Sequence, residues 1–305
     1  MSVSKKYLFI INPKAGTHQY PALSQLLEER AIYHKQQAEI VITNYAGHAY
    51  DLICGIELHE YAVIVAVGGD GTINEIARAL VQQPVDLAII PTGSGNGLAR
   101  FYKIPLTLKD AVDTVFTGKR IKMDVVKLNQ HYSFNVSGVG FDAAVAHEFQ
   151  YLKKRGFWGY VKCIAKQLGS FKPISVKIKL SNFNKINMLE NQFFLLAIAN
   201  TNQFGNDAII APGASTVDGK LNLVGVKAFS WWQLPYYLWM LMRKQIDRAK
   251  NVVSEKLEHC EIHASTDKWH IDGEPMIMTS PVEIKTLPLS LNIIVPNYYK
   301  HEQEK

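Results

Sequence analysis

The chain has 305 residues, of which 48% are hydrophobic and 20% charged, a balance that excludes disordered and fibrous classes and a length that suits two domains better than one core. Its 33 Lys and Arg against 27 Asp and Glu leave a formal net charge of +6, which favours anionic partners such as phosphate groups or an acidic membrane surface; no zinc-finger, RNP-type or long basic-helix pattern points to nucleic acid. Three scattered cysteines, Cys54, Cys163 and Cys260, show no CxxC spacing, which argues against a disulfide framework or a cysteine zinc site and fits a reducing cytoplasm.

The opening "MSVSKKYLFIINPKAG" carries an apolar stretch too short for a signal peptide and no cleavage site, so "YLFIIN" (7–12) reads as a first strand. A helix from Ala22 to about Tyr33 follows, then strand "EIVIT" (39–43), a helix near 48–56 and strand "AVIVAV" (62–67). Next come a helix from about Ile73, strand "DLAIIP" (86–91), and helices around 95–101 and 107–116. Continuous β-branched runs separated by helices predict a buried parallel sheet. Ligands of such sheets sit outside the carboxyl ends of the strands, and each glycine-rich stretch of this half falls at such an end.

Beyond "TGKRIKMD" (117–124) the pattern changes to strands: "VVKLN", "YSFNVSGVG", "SVKIKLSN", "QFFLLAIAN", "KLNLVGVKAF", "EHCEIHAS", "WHIDGEP", "VEIKTLP" and "LNIIVP", with helical insertions near 142–169 and 230–246. This texture predicts a mainly antiparallel β-domain. The boundary falls near Asp124, giving domains of 1–125 and 126–296, with the tail 297–305 folding back on the first. The longest aromatic-rich run, "FSWWQLPYYLWMLMRK" (229–244), contains Gln233 and Pro235 and is shorter than the roughly 20 residues of a bilayer-spanning helix.

Two glycine clusters carry the chemistry. In "VGGDGTINEI" (67–76), Gly68, Gly69 and Gly71 let the backbone approach an anion and aim N–H groups at it, and the helix that follows adds its partial positive charge. Asp70 among phosphate-facing amides requires a magnesium ion or a ribose-type hydroxyl to offset its charge. The ligand-free reading of the same turn is a capping box, with Thr72 as N-cap and Glu75 at N3. In "PTGSGNGLAR" (91–100), Gly93, Gly95 and Gly97 alternate with Thr92, Ser94 and Asn96, so hydroxyl and amide groups lie beside free backbone donors. Neither cluster is a P-loop or a dinucleotide GxGxxG.

The ordered set "NPKAG" (12–16), "TNYAGHA" (43–49), "GGDGTINE" (68–75), "PTGSGNGLAR", then "DG" at 218–219 and "DGE" at 272–274 resembles the diacylglycerol kinase and sphingosine kinase superfamily, nearest to its bacterial soluble lipid kinases. The resemblance spans nearly the whole chain. It implies an α/β fold with an NAD kinase-like nucleotide-binding domain, a β-sandwich lipid-binding domain, ATP and magnesium as cofactors, and phosphoryl transfer to a lipid hydroxyl in the cleft between the domains. Residue by residue it assigns Asn12, Pro13, Lys14, Ala15, Gly16, Thr43, Gly69, Asp70, Gly71, Thr72, Ile73, Asn74, Glu75, Ser94 and Asn96 to ATP, with Asp70 helping to hold the magnesium nucleotide.

Glu274 matches the family's general base; without that role it is a hairpin-turn carboxylate. Asp124 matches an aspartate of the magnesium and water network, or is a strand-edge aspartate. Asp218 matches the ligand of a structural magnesium, with carbonyls from Ser215 and Lys220, although Val217 stands where the family often has a second acidic residue. The "TGSGNGLA" turn is closer to the sphingosine kinase form, so diacylglycerol, sphingosine and phosphatidylglycerol all remain as acceptors.

NAD kinases share GGDGT but lack the second cluster and the late DGE; they are the alternative enzyme, and a non-catalytic lipid- or nucleotide-binding relative is the alternative outside catalysis. A lipid kinase must also reach a bilayer. The peripheral contact expected is "YLKKRGFWGYVK" (151–162), where Lys153, Lys154, Arg155 and Lys162 flank Phe157, Trp158 and Tyr160, the competing reading being a solvated face. The run 231–244 also qualifies, combining Trp231, Trp232, Tyr236, Tyr237 and Trp239 with Arg243 and Lys244; for 229–244 core or interdomain packing is the favoured reading, because its apolar residues leave little polar face. No protein partner is legible.

Overall fold

The computed structural model describes residues 6–16, 20–152, 157–182, 185–205 and 208–300. The chain divides into two compact units, Met1–Met123 with Leu289–Lys305, and Asp124–Pro288.

In the first unit, strands β1 (Lys6–Ile11), β2 (Ala38–Ile42), β3 (Tyr61–Gly68) and β4 (Asp86–Pro91) alternate with helices α1 (Tyr20–Tyr33), α2 (His48–Cys54), α3 (Asp70–Leu80), α4 (Gly97–Phe101) and α5 (Leu108–Thr117). The strands lie in the order β2-β1-β3-β4, all parallel. The end of strand Val282–Val295 continues the sheet beyond β4, with Ile293 opposite Leu87. Residues of one parity, Phe9, Ile11, Val63, Val65, Val67, Ala88 and Ile90, pack against Leu23 and Leu27 of α1 and Ala111, Val112 and Val115 of α5. The other parity, Leu8, Ile10, Ile64, Ala66, Leu87 and Ile89, is equally buried, and α3 lies on β3 and β4. Burial on both faces is why these strands read as unbroken apolar runs. Helix α3 contributes Ile73, Ile76, Ala77 and Leu80 to the core, a helical spacing worth roughly 1.5–3 kcal/mol for each large side chain buried.

The second unit opens with the end of β5 (Lys119–Leu128) and contains β6 (His131–Ser133), β7 (Val136–Gly140), β8 (Ile174–Asn182), β9 (Lys185–Ala199), β10 (Leu221–Lys227), β11 (Val252–Leu257), β12 (His259–Ala264), β13 (Lys268–Ile271), β14 (Glu274–Ile277) and the start of β15 (Val282–Val295). Helices α6 (Phe141–Phe149), α7 (Phe157–Leu168) and α8 (Leu234–Met242) interrupt them. The order β14-β13-β7-β9-β8-β12-β15 is antiparallel throughout, and β10 joins β9 to β11. A core of Phe193, Leu196, Ile198, Trp269, Ile262 and Ile284 fills it. A parallel α/β part and a mainly antiparallel part bear out the fold class expected from the sequence.

Local details differ. Helix α3 starts at Asp70, three residues before the Ile73 expected. "VEIKTLP" and "LNIIVP" form one strand running through Pro288, with Leu289 at φ +48°. "YSFNVSGVG" divides into β6 and β7, and "VVSEKL" is a further strand, β11.

Candidate active site

At the carboxyl ends of β1, β3 and β4 three turns converge on one another. The turn after β1 folds on Asn12, whose side-chain oxygen accepts the Lys14 N–H (2.9 Å) while its amide donates to the Thr72 hydroxyl (2.8 Å). Gly16 has φ +81°, and a Cβ there would meet the Thr92 carbonyl oxygen at 2.8 Å. Gly69 and Gly93 touch backbone to backbone: a Cβ on Gly93 would lie 2.6 Å from the Gly69 Cα. No side chain fits at Gly93 without a backbone shift, and at Gly69 a Cβ would be tight, 3.3 Å from the Gly93 Cα, so the glycines bring the second and third turns together. Lys14 and Ser94 are exposed and Thr43, just past β2, is buried.

Two carboxylates tie this arrangement. Asp70 is the first residue of α3, and its two oxygens each accept one N–H, from Asn96 and from Gly97, both at 2.8 Å. It therefore caps α4, whose own N-cap residue Asn96 is held in the left-handed region (φ +51°) with no side-chain cap. Glu75 accepts the N–H groups of Gly47 (2.8 Å) and Ala49 (3.3 Å), fixing the start of α2. The capping box is thus absent: Thr72 serves Asn12, Glu75 serves the "YAGHA" turn, and Gly69, the N-cap of α3, carries no side-chain cap. The first-turn amides of an α-helix, here those of Asp70, Gly71 and Thr72, have no acceptor within the helix, the general feature by which helix starts attract anions. In the third turn the Asn96 Oδ1 and the Thr92 Oγ1 are buried and have no hydrogen-bond partner among the described residues, polar atoms that a ligand or water would satisfy.

In the second unit Glu274 begins β14 directly after a two-residue turn. Asp272 (φ +50°) and Gly273 (φ +89°) both lie in the left-handed region, the Asp-Gly signature of a type I′ hairpin. The hairpin reading of "DGE" therefore holds, and it leaves the Glu274 carboxylate exposed, with no hydrogen bond or ion pair to a described residue. The turn below it is fixed by residues the sequence reading passed over. The Asp272 carboxylate accepts the Ser133 hydroxyl (2.7 Å) and the N–H groups of Phe134 and Asn135 (2.9 Å each). The Gly273 N–H donates to His270 Nδ1 (3.2 Å), so Nε2 carries the proton and donates to Asp142 Oδ2 (3.0 Å) in a nearly dry contact. The readable signal was the alternation of His270 and Asp272 around a hairpin dipeptide.

Asp124 is fully buried; its Oδ2 accepts the Gly219 N–H at 2.7 Å and its own N–H donates to the Thr216 carbonyl. It anchors the "TVDG" turn. Asp218, on that turn, is engaged by the Lys256 ammonium at 2.9 Å, and its other oxygen accepts the Lys220 N–H at 3.1 Å. The Ser215 hydroxyl faces the Val217 N–H (3.4 Å). Among the described residues no group of three His, Cys, Asp or Glu side chains could hold a metal. A divalent ion on Asp218 would meet an ammonium already in place, so this donor set does not fit the structural magnesium. The two buried thiols are poor nucleophiles: burial pushes Cys260 up to about 12 and raises Cys163.

The expected membrane contact at 151–162 includes Lys153, Lys154 and Arg155, which lie outside the described residues. The packing reading of 229–244 needs correcting. Tyr237 and Met240 are buried, but Trp232, Leu238, Trp239 and Met242 are exposed. No described helix is long and apolar enough to cross a membrane.

The first unit thus carries glycine turns at the carboxyl ends of a parallel sheet, and the second presents an exposed carboxylate on an antiparallel hairpin. The diacylglycerol kinase catalytic domain family matches residues 6–128, and the YegS C-terminal NAD kinase beta sandwich-like domain family matches residues 135–295; the chain belongs to the diacylglycerol kinase family of lipid kinases. A diacylglycerol kinase of Staphylococcus aureus (strain MRSA252) is 26% identical over 98% of this chain and 95% of its own length. One from Staphylococcus epidermidis (strain ATCC 12228 / FDA PCI 1200) is 27% identical over 70% and 68%. A crystal structure of a diacylglycerol kinase from Bacillus anthracis str. Sterne shares the fold with a TM-score of 0.76 at 19% identity, covering 97% of this chain and 98% of that one.

Proposed function

We propose that this chain transfers the γ-phosphoryl group of ATP to the hydroxyl of a membrane lipid, diacylglycerol being the acceptor that its relatives' names suggest. The observation that carries the reading is Asp70, which ties the two glycine turns together while the first turn of α3 stays uncapped. The convergence of the Asn12, Gly69 and Gly93 turns supports a seat in which backbone amides face the triphosphate. Magnesium bound with the nucleotide would supply charge neutralisation at the phosphates, and Asp70 is the carboxylate suited to hold it.

Phosphoryl transfer needs the acceptor proton removed as the hydroxyl attacks, and a lipid alcohol does not lose it unaided at neutral pH. Glu274 is suited to take that proton, being exposed, unpaired among the described residues, and mounted on a turn that Asp272 and His270 hold rigid. In this reading the first unit binds the nucleotide and the second binds the lipid, with Glu274 as general base. Asp124 acts through the turn it anchors.

The test is transfer of labelled phosphate from ATP to a panel of hydroxyl lipids, with products identified by mass spectrometry. A phosphorylated lipid is the expected result. Phosphorylation of NAD with no lipid product overturns the reading in favour of the NAD kinase alternative.

A further inference from the structure

The sequence of α8, "LPYYLWMLM", has no charged or amide side chain, and a helix apolar all round belongs in a core or in lipid. At nine residues it is far too short to span a bilayer. One side is in the core: Tyr237 and Met240 pack with Val224, Val226 and Ile246. At 100° per residue, Leu238, Trp239 and Met242 fall within one sector on the opposite side. They are 51%, 52% and 83% exposed, and Trp232 on the preceding turn is 65% exposed. An apolar ridge of this kind is costly in water.

The surroundings of the ridge identify what covers it. Residues 229–250 hold Arg243, Lys244, Arg248 and Lys250, all exposed, against Asp247 as the only acid. The Arg243 guanidinium sits over the Trp239 ring, 5.1 Å from its centroid. The Tyr237 hydroxyl donates to the Lys250 carbonyl (2.9 Å) and the Tyr236 hydroxyl accepts the Lys250 N–H (3.2 Å), so this basic segment is strapped alongside α8. Apolar side chains including tryptophan, rimmed by cations, are what an interfacial helix presents to headgroups and upper acyl chains. A second copy of the chain would bring the same four cations against each other, which disfavours self-association through this face.

We propose that the outer face of α8, with the cations of 243–250, docks the protein on an anionic lipid bilayer: Leu238, Trp239, Met242 and Trp232 enter the interface while Arg243, Lys244, Arg248 and Lys250 meet the headgroups. The surface shares no residue with the phosphotransfer site and does not depend on which lipid is phosphorylated.

The full chain is sedimented with phosphatidylglycerol–phosphatidylcholine vesicles and with pure phosphatidylcholine vesicles. Binding to the anionic vesicles, weakened by salt, is expected. The combined substitutions Leu238→Ser, Trp239→Ser and Met242→Ser should lower it by about tenfold or more. Arg243→Gln and Lys244→Gln should each lower it about fivefold. All five side chains are solvent-facing, so the thermal midpoint should stay near that of the unsubstituted chain. Transfer to detergent-dispersed lipid should also survive the triple substitution. Unchanged vesicle binding by the triple variant overturns the proposal, as does a dimer that the triple substitution splits. An unsubstituted chain that binds vesicles yet phosphorylates no lipid leaves docking standing and removes the kinase reading.

Discussion

The two carboxylate oxygens of Asp70 lie 2.8 Å from the amide nitrogens of Asn96 and Gly97, so the residue that opens α3 also caps α4. This aspartate is the tie between the second and third turns. Its proposed part in nucleotide handling and its structural part therefore cannot be separated by deleting it.

Asp70→Asn is accordingly expected to do more than remove a charge. The variant keeps one accepting oxygen and turns an NH2 group toward the other backbone N–H, leaving that donor unsatisfied at a cost of about 1–3 kcal/mol. The expected outcome is a folded protein with a lower midpoint in urea and no measurable phosphoryl transfer. A variant as stable as the parent would show that the two N–H contacts contribute nothing.

Gly93→Ala tests the contact between turns. Its Cβ would lie 2.6 Å from the Gly69 Cα and 2.9 Å from the Asn96 Oδ1, and backbone at that distance has to move. Loss of transfer is expected, with a destabilisation of about 1–3 kcal/mol, the usual cost of overpacking. Gly213, with nothing within 4 Å of its Cβ position, is the matched control, and Gly213→Ala should leave the thermal midpoint and the transfer rate unchanged.

Glu274→Gln is isosteric and removes an exposed carboxylate that no described residue needs. Magnesium-ATP should bind with near-native affinity in calorimetry while the transfer rate drops by about 10²-fold or more, the range for loss of general-base help. Nucleotide affinity that falls in step with transfer would make Glu274 a nucleotide or structural residue instead.

The Lys256 ammonium on Asp218 predicts how the chain responds to metal removal. With an internal cation on this turn, chelation of divalent ions in the absence of nucleotide should leave the thermal midpoint unchanged. Lys256→Met, which removes the ammonium but keeps the stem, should make the midpoint rise with added magnesium. A chelator-sensitive parent would restore the structural metal expected from the family pattern.

The alternation of β1 to β4 with helices was legible because strands buried on both faces leave unbroken β-branched runs that no amphipathic helix produces. The turn contacts were not. Thr72 and Glu75 satisfy the local capping-box spacing, and only the packed fold shows that Asn12, 60 residues earlier, holds Thr72 and that the Gly47 and Ala49 amides hold Glu75. Lys256 likewise reaches Asp218 from 38 residues away, beyond any local rule. In α8 the pattern misled for a different reason: a uniformly apolar helix has no polar stripe to say which side faces the core, so the exposure of Leu238, Trp239 and Met242 was invisible until Tyr237 and Met240 were seen to be buried.

Strand β15 has a consequence for how the protein is made. Its last residues complete the first sheet, Ile293 pairing beside Leu87 of β4, although some 200 residues of chain separate them. During synthesis β4, buried along its whole length in the finished protein, waits with an open edge while the entire second unit emerges from the ribosome. Translation that stops short of Leu289 leaves that edge permanently unpaired and available to other chains. The N-terminal sheet is thus sealed last, and a polypeptide missing its final segment should be an aggregation hazard even with every glycine turn intact.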